Sequence, residues 1–420
     1  MKNCLIIPEK IAEFMLPTTI EARTPLFYSL PKIHKENTPL RPIVSGCGSP
    51  TDNLSEYVVK YLLPIAESLP SYFKDSTELL KTLCETPLPR REYILVTADV
   101  VSLYTNIPHD DGIRAVSNFL NNNWKLLKLP NNLPPIIPTN HFCDLLKLIL
   151  ENSSFMFGSR SFHQKFGTSM GTRMAPPYAN IFMGELDQKI IEKYKNHISL
   201  YKRFIDNVLL IFEGTLSELD ELKTYMNSLH KNIKFTFDTS TKSVSFMDLT
   251  LTKNENNTIS STIYKKPTDT LSLLNFHSNH PRHQKIGIVY SQARRLNRLV
   301  SKEVDLRTEL EKLAKTLVIK NYPIEVINQE INKALSSTQK NLIFKPITTE
   351  PISDKKKSFN NGIPIVLPYD ATGKEIMKMT TKHWRIIQND PVLSKILGEK
   401  PLKIYSNQKN LHDQLIRTKF

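Results

Sequence analysis

Two apolar strand-like runs, each interrupted by one acid, constrain this chain most: Tyr93 to Tyr104 around Asp99, and Tyr201 to Phe212 around Asp206. In the first, Ile94, Leu95, Val96 and Thr97 are β-formers, and the run reads as a buried strand. A carboxylate at the end of such a strand is costly unless it is paired, caps a turn or binds a metal. In the second, Phe204 and Ile205 lead in and Val208 to Phe212 return, so the pattern predicts a hairpin turning at Asp206-Asn207. The same pair is common in plain turns. On the tip of a rigid hairpin, however, a carboxylate suits metal binding, because a ligand must hold its place. The two runs are separated by helical stretches, and the resulting β-α-β-β-α-β order is the ferredoxin-like split arrangement.

The rest of the chain is built around these runs. Residues 1 to about 25 read as helical and then irregular. Phe27 to Lys35 and Pro39 to Gly46 are two short β-type runs joined by Glu36-Asn37-Thr38, with Lys32, His34, Lys35 and Arg41 on them. A basic hairpin can hold phosphates, Arg as a fork and Lys as a point charge, and is otherwise an ordinary solvated hairpin. Helical spacing follows over 52–84, with Asp52 as candidate N-cap, and again over Asp110 to Asn121 and His141 to Leu150. Residues 122–137 read as an Asn- and Pro-rich loop.

Phe155 to Phe166 predicts a hairpin at Gly158-Ser159, and the Gly167 to Pro177 segment leads into a helix over Tyr178 to Tyr194. Glycines there permit close approach to a ligand, and a helix start presents free N–H groups. Leu216 to Leu229 reads as a helix, and Lys234 to Asp238, Ser243 to Leu251 and Ile259 to Tyr264 read as strands. From Thr268 the chain turns helical and basic, with Arg282, His283, Lys285, Arg294, Arg295 and Arg298 in one region. Helical stretches follow over Glu303 to Lys320 and Ile324 to Leu335. Residues 345–370 are Pro-rich and include Lys355-Lys356-Lys357, read as a solvated turn. A last unit, Asp370 to Phe420, holds Trp384 and ends in a basic helix.

Composition narrows the function classes. The 420 residues allow two or three domains, and 40% hydrophobic content supports a folded core. The formal charge of +15, from 56 Lys and Arg against 41 Asp and Glu, points to a polyanionic partner such as nucleic acid. Cys4, Cys47, Cys84 and Cys143 lie far apart with no C-x-x-C pair, which argues against a zinc site or a disulfide scaffold and fits a reducing compartment. Leu5-Ile6-Ile7 before Pro8 is too short for a signal peptide, and no apolar run reaches the length of a membrane span.

The order of these segments resembles that of reverse transcriptases. It runs Phe27–Lys35 with Pro39–Gly46, Thr97–Pro108, Gln164–Asn180, Tyr201–Phe212, then Phe246-Met247-Asp248-Leu249. Ile263 to Asp269 with Ser278 to Pro281 is similar to the Penelope-like retroelement group, relatives of the telomerase reverse transcriptase. The resemblance implies an α+β right-hand polymerase of fingers, split β-α-β palm and helical thumb, ending in a C-terminal connector. The expected division is 1–90 for the N-terminal segment and fingers, and 91–265 for the palm, with fingers elements inserted near 120–165. A basic thumb over 266–345 and a connector over 346–420 complete it.

The chemistry implied is RNA-directed DNA synthesis by two Mg²⁺ ions (Mn²⁺ as substitute) on an RNA template, a DNA primer and dNTPs, in an intracellular, nuclear setting. Hard cations want oxygen ligands converging from different strands. The resemblance assigns that role to Asp99, Asp206 and the Val100 carbonyl, with Asn207 at the second position of the hairpin dyad. It makes Tyr104 the aromatic that excludes a ribose 2′-hydroxyl and Lys32 and Arg41 the triphosphate cations. Gln164 to Gly171 becomes the motif along nucleotide and template, and Lys234 a leaving-group proton donor. Arg282, Lys285, Arg294, Arg295 and Arg298 would meet nucleic acid.

Two departures matter. The family's dyad is usually Asp-Asp, and here the second member is Asn207. Losing one unit charge about 4 Å from a metal costs on the order of 4 kcal/mol at an effective dielectric of about 20. Full expression in the transition state would slow chemistry about a thousandfold. The expectation is therefore a polymerase with impaired activity, against the alternative of a silent nucleic-acid-binding relic. Asn207 favours the relic, whereas Asp99, Asp206, Arg41 and Tyr104 favour the active enzyme. The second departure is that no GIY-YIG nuclease motif occurs before Phe420, which suggests a truncated reading frame or a telomere-using relative.

Overall fold

The computed structural model describes residues 9–16, 22–33, 36–89, 91–123, 137–270, 272–344, 364–397 and 400–406. The chain divides into two compact units, Met1–Asp269 and Thr270–Phe420. The first unit begins with α1 (Glu9–Met15), the ribbon β1 (Phe27–Pro31) and β2 (Leu40–Val44), then α2 (Asp52–Glu67) and α3 (Ser76–Glu85). β3 (Ile94–Val100), α4 (Leu103–Asn106), α5 (His109–Asn123) and α6 (Thr139–Glu151) follow. The β4–β5 hairpin (Ser154–Phe157, Arg160–His163) precedes α7 (Ala175–Lys193). The chain then returns through β6 (Ile198–Phe204), β7 (Asn207–Phe212), α8 (Leu216–Ser228) and β8 (Phe235–Ser240). The three strands β9 (Ser243–Phe246), β10 (Leu249–Lys253) and β11 (Ile259–Ile263) end the unit.

β6, β7, β3 and β8 pair in that spatial order, all antiparallel. Read from the other edge this is strand 4, 1, 3, 2 of the β-α-β-β-α-β unit, the split arrangement expected from the sequence. β3 is central because Leu95, Val96 and Ala98 bury both of its faces. A continuous apolar run is what a doubly covered strand requires. α5, α6 and α7 fill the connection between β3 and β6, and Val116, Phe142, Tyr178 and Met183 join Val96 and Val208 in one core. Local chemistry sets the helix starts. α8 opens with a reciprocal capping box between Thr215 and Glu218, and Asp75 caps α3 through the Thr77 and Glu78 N–H groups.

Four local expectations are corrected. The Tyr201–Phe212 hairpin turns at Ile205-Asp206, not Asp206-Asn207: Phe204 pairs with Asn207, which is already in β7. The run 243–251 is not one strand but the β9–β10 hairpin, turning at Met247-Asp248. Asp52 is the first residue of α2 rather than its cap; Thr51 holds that position, and Asp52 accepts the Gly48 N–H at 2.8 Å. α7 starts at Ala175, because Pro176 and Pro177 fit a first turn that needs no N–H partners.

The second unit contains α9 (Arg282–Leu299), α10 (Glu303–Ile319), α11 (Ile324–Leu335) and α12 (Gln339–Phe344). Asn297, buried on α9, donates to the Ala334 and Ser337 carbonyls at 3.0 and 2.8 Å and so ties α9 to the end of α11. β12 (Pro364–Pro368) pairs in parallel with β13 (Leu402–Ser406) across α13 (Ala371–His383), α14 (Arg385–Gln388) and α15 (Pro391–Leu397). The Leu5-Ile6-Ile7 run, Cys4, His34, Lys35, nearly all of the 122–137 loop, Lys355-Lys356-Lys357 and the final basic helix lie outside the described residues. Among the described residues, no helix is long and apolar enough to cross a membrane.

Candidate active site

The C-terminal end of β3 meets the tip of the β6–β7 hairpin. Asp99 stands opposite Asn207 on one side and Thr236 of β8 on the other. The Val100 N–H donates to the Asp206 carbonyl at 2.8 Å, so the turn is strapped to the strand that carries Asp99. Both sequence-predicted acids therefore sit at one end of the sheet, half-buried. The Asn207 amide donates to Asp206 Oδ1 at 2.9 Å. It thus orients the carboxylate where a second acid would repel it.

Directly after Asp99 the chain turns sharply. Ser102 takes a left-handed conformation (φ 50), and the Asn106 and Thr105 side chains satisfy the Val101 and Ser102 carbonyls at 3.0 and 2.9 Å. This turn delivers Tyr104 to the same edge. Burial first, and then the charge of Asp206, push the Tyr104 phenol up to about 12. It is a neutral ring and hydroxyl at any working pH.

The glycine segment closes onto this turn. The Thr168 N–H donates to the Tyr104 carbonyl at 2.7 Å, and His109 Nε2 lies 2.7 Å from the Gly167 carbonyl. Gly167 has φ +71, and a Cβ there would lie 2.6 Å from the Tyr104 carbonyl oxygen. At its other end the segment reaches β2, where the Val44 N–H donates to the Met170 carbonyl at 3.0 Å. Gly171 has φ +136, and a Cβ there would run into the Val44 carbonyl. Gly171→Ala is accordingly expected to cost about 1–3 kcal/mol, read as a lower denaturation midpoint at unchanged m-value. An unaltered midpoint would show that the approach is not needed.

Gln164 braces its own loop, accepting from Ser169 Oγ at 2.7 Å and donating to the Phe166 carbonyl at 2.9 Å. Lys32 is half-buried beside β1 and Arg41 is exposed on β2. The Lys234 backbone carbonyl accepts from the Val101 N–H at 2.9 Å, while its ammonium donates to the Asn227 carbonyl at 2.8 Å. In the second unit Arg282 is exposed, and Lys285 is held by the Phe276 and Ser278 carbonyls at 2.7 and 3.0 Å. Arg294 donates to the Tyr290 hydroxyl at 2.7 Å, and Arg295 and Arg298 are half-buried along the same helix.

One group escaped the sequence reading. Arg203 on β6 is 1% exposed. Its guanidinium reaches Asp187 Oδ2 at 2.8 Å, Asn180 Oδ1 at 2.7 Å, the Asn180 carbonyl at 3.0 Å and the Ile205 carbonyl at 2.9 Å. Asp187 also accepts from Ser71 at 2.6 Å and Tyr201 at 2.8 Å. The buried pair is thus fully bonded. Removing one partner of such a pair costs roughly 3–5 kcal/mol. The sequence signal was present. Asp187 falls on the apolar stripe of Met183, Leu186 and Ile190, and Arg203 shares the inward face of β6 with Tyr201.

A cavity of about 710 Å³ opens between α5 and α7, lined by Leu69, Phe119, Ile181, Gly184 and Gln188 among others. It includes neither Asp99 nor Asp206. Among the described residues no three His, Cys, Asp or Glu side chains converge on a cation position. Two carboxylates are nevertheless a fitting set for Mg²⁺. That ion is usually held by one or two carboxylates plus substrate phosphates and water.

No curated protein matches the chain in sequence. Residues 272–332 match the animal helix-turn-helix domain. The telomerase of Candida albicans, solved with a TWJ fragment of telomeric RNA, is 11% identical with a TM-score of 0.53, covering 93% of this chain and 67% of that one. That likeness shows the fold, an α+β right-hand polymerase. The apo telomerase of Candida tropicalis truncated from its C-terminal domain is 12% identical at TM-score 0.42, over 57% of this chain. The present chain spans 54% of that protein's length. The BmCPV RNA-dependent RNA polymerase at its elongation state is 11% identical at TM-score 0.44, over 70% of this chain and 26% of that one. Residues 33–272, more than half of the chain, match the reverse transcriptase (RNA-dependent DNA polymerase) family, and the chain belongs to it.

Proposed function

We propose that the protein is an RNA-directed DNA polymerase of a Penelope-like retroelement, extending a DNA primer on an RNA template from dNTPs. The observation that carries this reading is the strand register that sets Asp99 opposite Asn207 and beside Asp206. Bound divalent cations, two Mg²⁺ or Mn²⁺, supply activation of the primer 3′-hydroxyl and charge neutralisation at the triphosphate.

The chain's own residues do the rest. Asp99, Asp206 and the Val100 carbonyl hold those cations. The neutral Tyr104 ring fills the space a ribose 2′-hydroxyl would take. Lys32 and Arg41 meet the triphosphate. Gln164 to Gly171 lie along nucleotide and template, the glycines at 167 and 171 allowing the close approaches to the Tyr104 and Val44 carbonyls that hold the segment in place. Lys234 serves as proton donor to the leaving pyrophosphate by exchanging its bond to the Asn227 carbonyl for a phosphate oxygen. The helices of the 266–345 segment, with Arg282, Lys285, Arg294, Arg295 and Arg298, form the thumb on the duplex. A nuclear location goes with this reading.

Asn207 lowers activity in this account, because it gives the site an amide donor in place of a charge. The same residue supports the second reading, a silent protein that binds primer–template without extending it. Primer extension on an RNA template separates them. Divalent-dependent products whose length follows the template support the polymerase. Binding without product, from both wild type and Asn207→Asp, leaves the silent binder.

Either way, the +15 charge predicts binding that weakens steeply with salt. Each phosphate neutralised adds about 0.9 to the slope of log affinity against log salt on a duplex. A filter-binding titration that is flat in salt would contradict a phosphate-dominated interface.

A further inference from the structure

The structure holds two turns of the same build. Phe204-Ile205-Asp206-Asn207 and Phe246-Met247-Asp248-Leu249 are both two-residue hairpin turns, with positive φ at the residue before the acid, 57 for Ile205 and 55 for Met247. Both are tied through the backbone carbonyl of the acid, which accepts from the Val100 N–H at 2.8 Å in the first turn and from the Tyr264 N–H at 2.9 Å in the second. They differ in the further tie. In the second it is made to the carboxylate, since Ser76 Oγ donates to Asp248 Oδ1. In the first it is made to the preceding carbonyl, since Arg203 Nη1 donates to the Ile205 carbonyl at 2.9 Å. That tie does not draw on the Asp206 carboxylate, whose Oδ1 accepts from the Asn207 amide. It also counters the disfavoured left-handed conformation of a β-branched residue.

We infer that Arg203 is a positioning residue for Asp206: its buried guanidinium fixes the Ile205 carbonyl and thereby the orientation of the metal-bearing turn. The arginine is suited to this because its other side-chain partners, Asp187 and Asn180, both belong to one helix. Asp187 and Asn180 lie on α7, the helix that follows the Gly167–Arg173 segment. The Arg203 N–H donates to the Ser71 carbonyl at 2.7 Å, and Ser71 in turn donates to Asp187. Lysine at this position keeps the charge but loses the planar fork that spans Asp187, Asn180 and Ile205 at once. This inference rests on the polymerase reading, in which Asp99 and Asp206 share a divalent cation.

The test is Mn²⁺ titration of the full-length protein by electron paramagnetic resonance, with the specific site defined as the binding lost in Asp99→Ala. Arg203→Lys is expected to raise the Kd of that site roughly ten- to a hundredfold, as losing an outer-shell partner typically does. Leu219→Ala, a cavity in α8 away from the turn, is expected to lower the melting temperature without moving the Kd. If Arg203→Lys does not unfold cooperatively, Asn180→Ala replaces it. That variant strips one of the two acceptors of the same nitrogen and is expected to weaken the site in the same direction. A Kd unchanged in whichever variant folds, or moved equally by Leu219→Ala, overturns the positioning role while leaving the polymerase reading intact. Wild-type Mn²⁺ binding that does not depend on Asp99 overturns the polymerase reading, and the positioning role with it.

Discussion

Asp99→Ala is expected to reduce primer extension by about a thousandfold or more while leaving a cooperative thermal unfolding transition. The loss comes from charge. A carboxylate about 4 Å from a cation contributes on the order of 4 kcal/mol at an effective dielectric near 20, and each 1.36 kcal/mol is tenfold in rate. Asp99 sits near the C-terminal end of β3, whose buried Leu95, Val96 and Ala98 are untouched by the substitution, so cooperative unfolding is expected to persist. Steady-state extension on a primed RNA template, beside a melting curve, checks both halves. Residual extension within a few-fold of wild type would remove Asp99 from the chemistry.

Asn207→Asp is expected to act in the other direction. The present amide donates to Asp206 at 2.9 Å and supplies no charge. A carboxylate there would lose that hydrogen bond and face Asp206 as a like charge, destabilising the metal-free protein. With Mg²⁺ bound the extra charge becomes attractive. Extension should therefore rise, by up to about a thousandfold if the whole Coulomb gain falls on the transition state. The melting temperature should fall without Mg²⁺ and recover with it. Unchanged extension from an already active wild type would show that Asn207 is tolerated as it stands.

These expectations depend on features of differing legibility. The strand over β3 and the helix α8 could be read from the chain because their signals are local: a β-branched run, and a Thr215–Glu218 box. The split β-α-β order could be read because it needs only the sequence of elements. The turn position could not. Asp-Asn is better turn chemistry than Ile-Asp, yet Ile205 takes the positive φ because strand register and the Arg203 and Val100 bonds outweigh its local preference. The break at Met247-Asp248 was hidden for the same reason. Asp187 and Arg203 were individually visible as charges at apolar positions, but their partnership with Ser71 and Asn180 spans the chain, and spacing carries no trace of it. The glycines were legible as permissive residues. That Gly167 accommodates the Tyr104 carbonyl and Gly171 the Val44 carbonyl emerges only from tertiary approach.

The central claim is that folding gathers Asp99 and Asp206 around a shared divalent cation. Anomalous diffraction from crystals of the full chain soaked in Mn²⁺ tests it most directly. A peak is expected at the end of β3 with an oxygen of each carboxylate about 2.0–2.5 Å away. Carboxylates more than about 8 Å apart with no shared peak would contradict it, since metal–oxygen bonds of about 2 Å each could not bridge that gap.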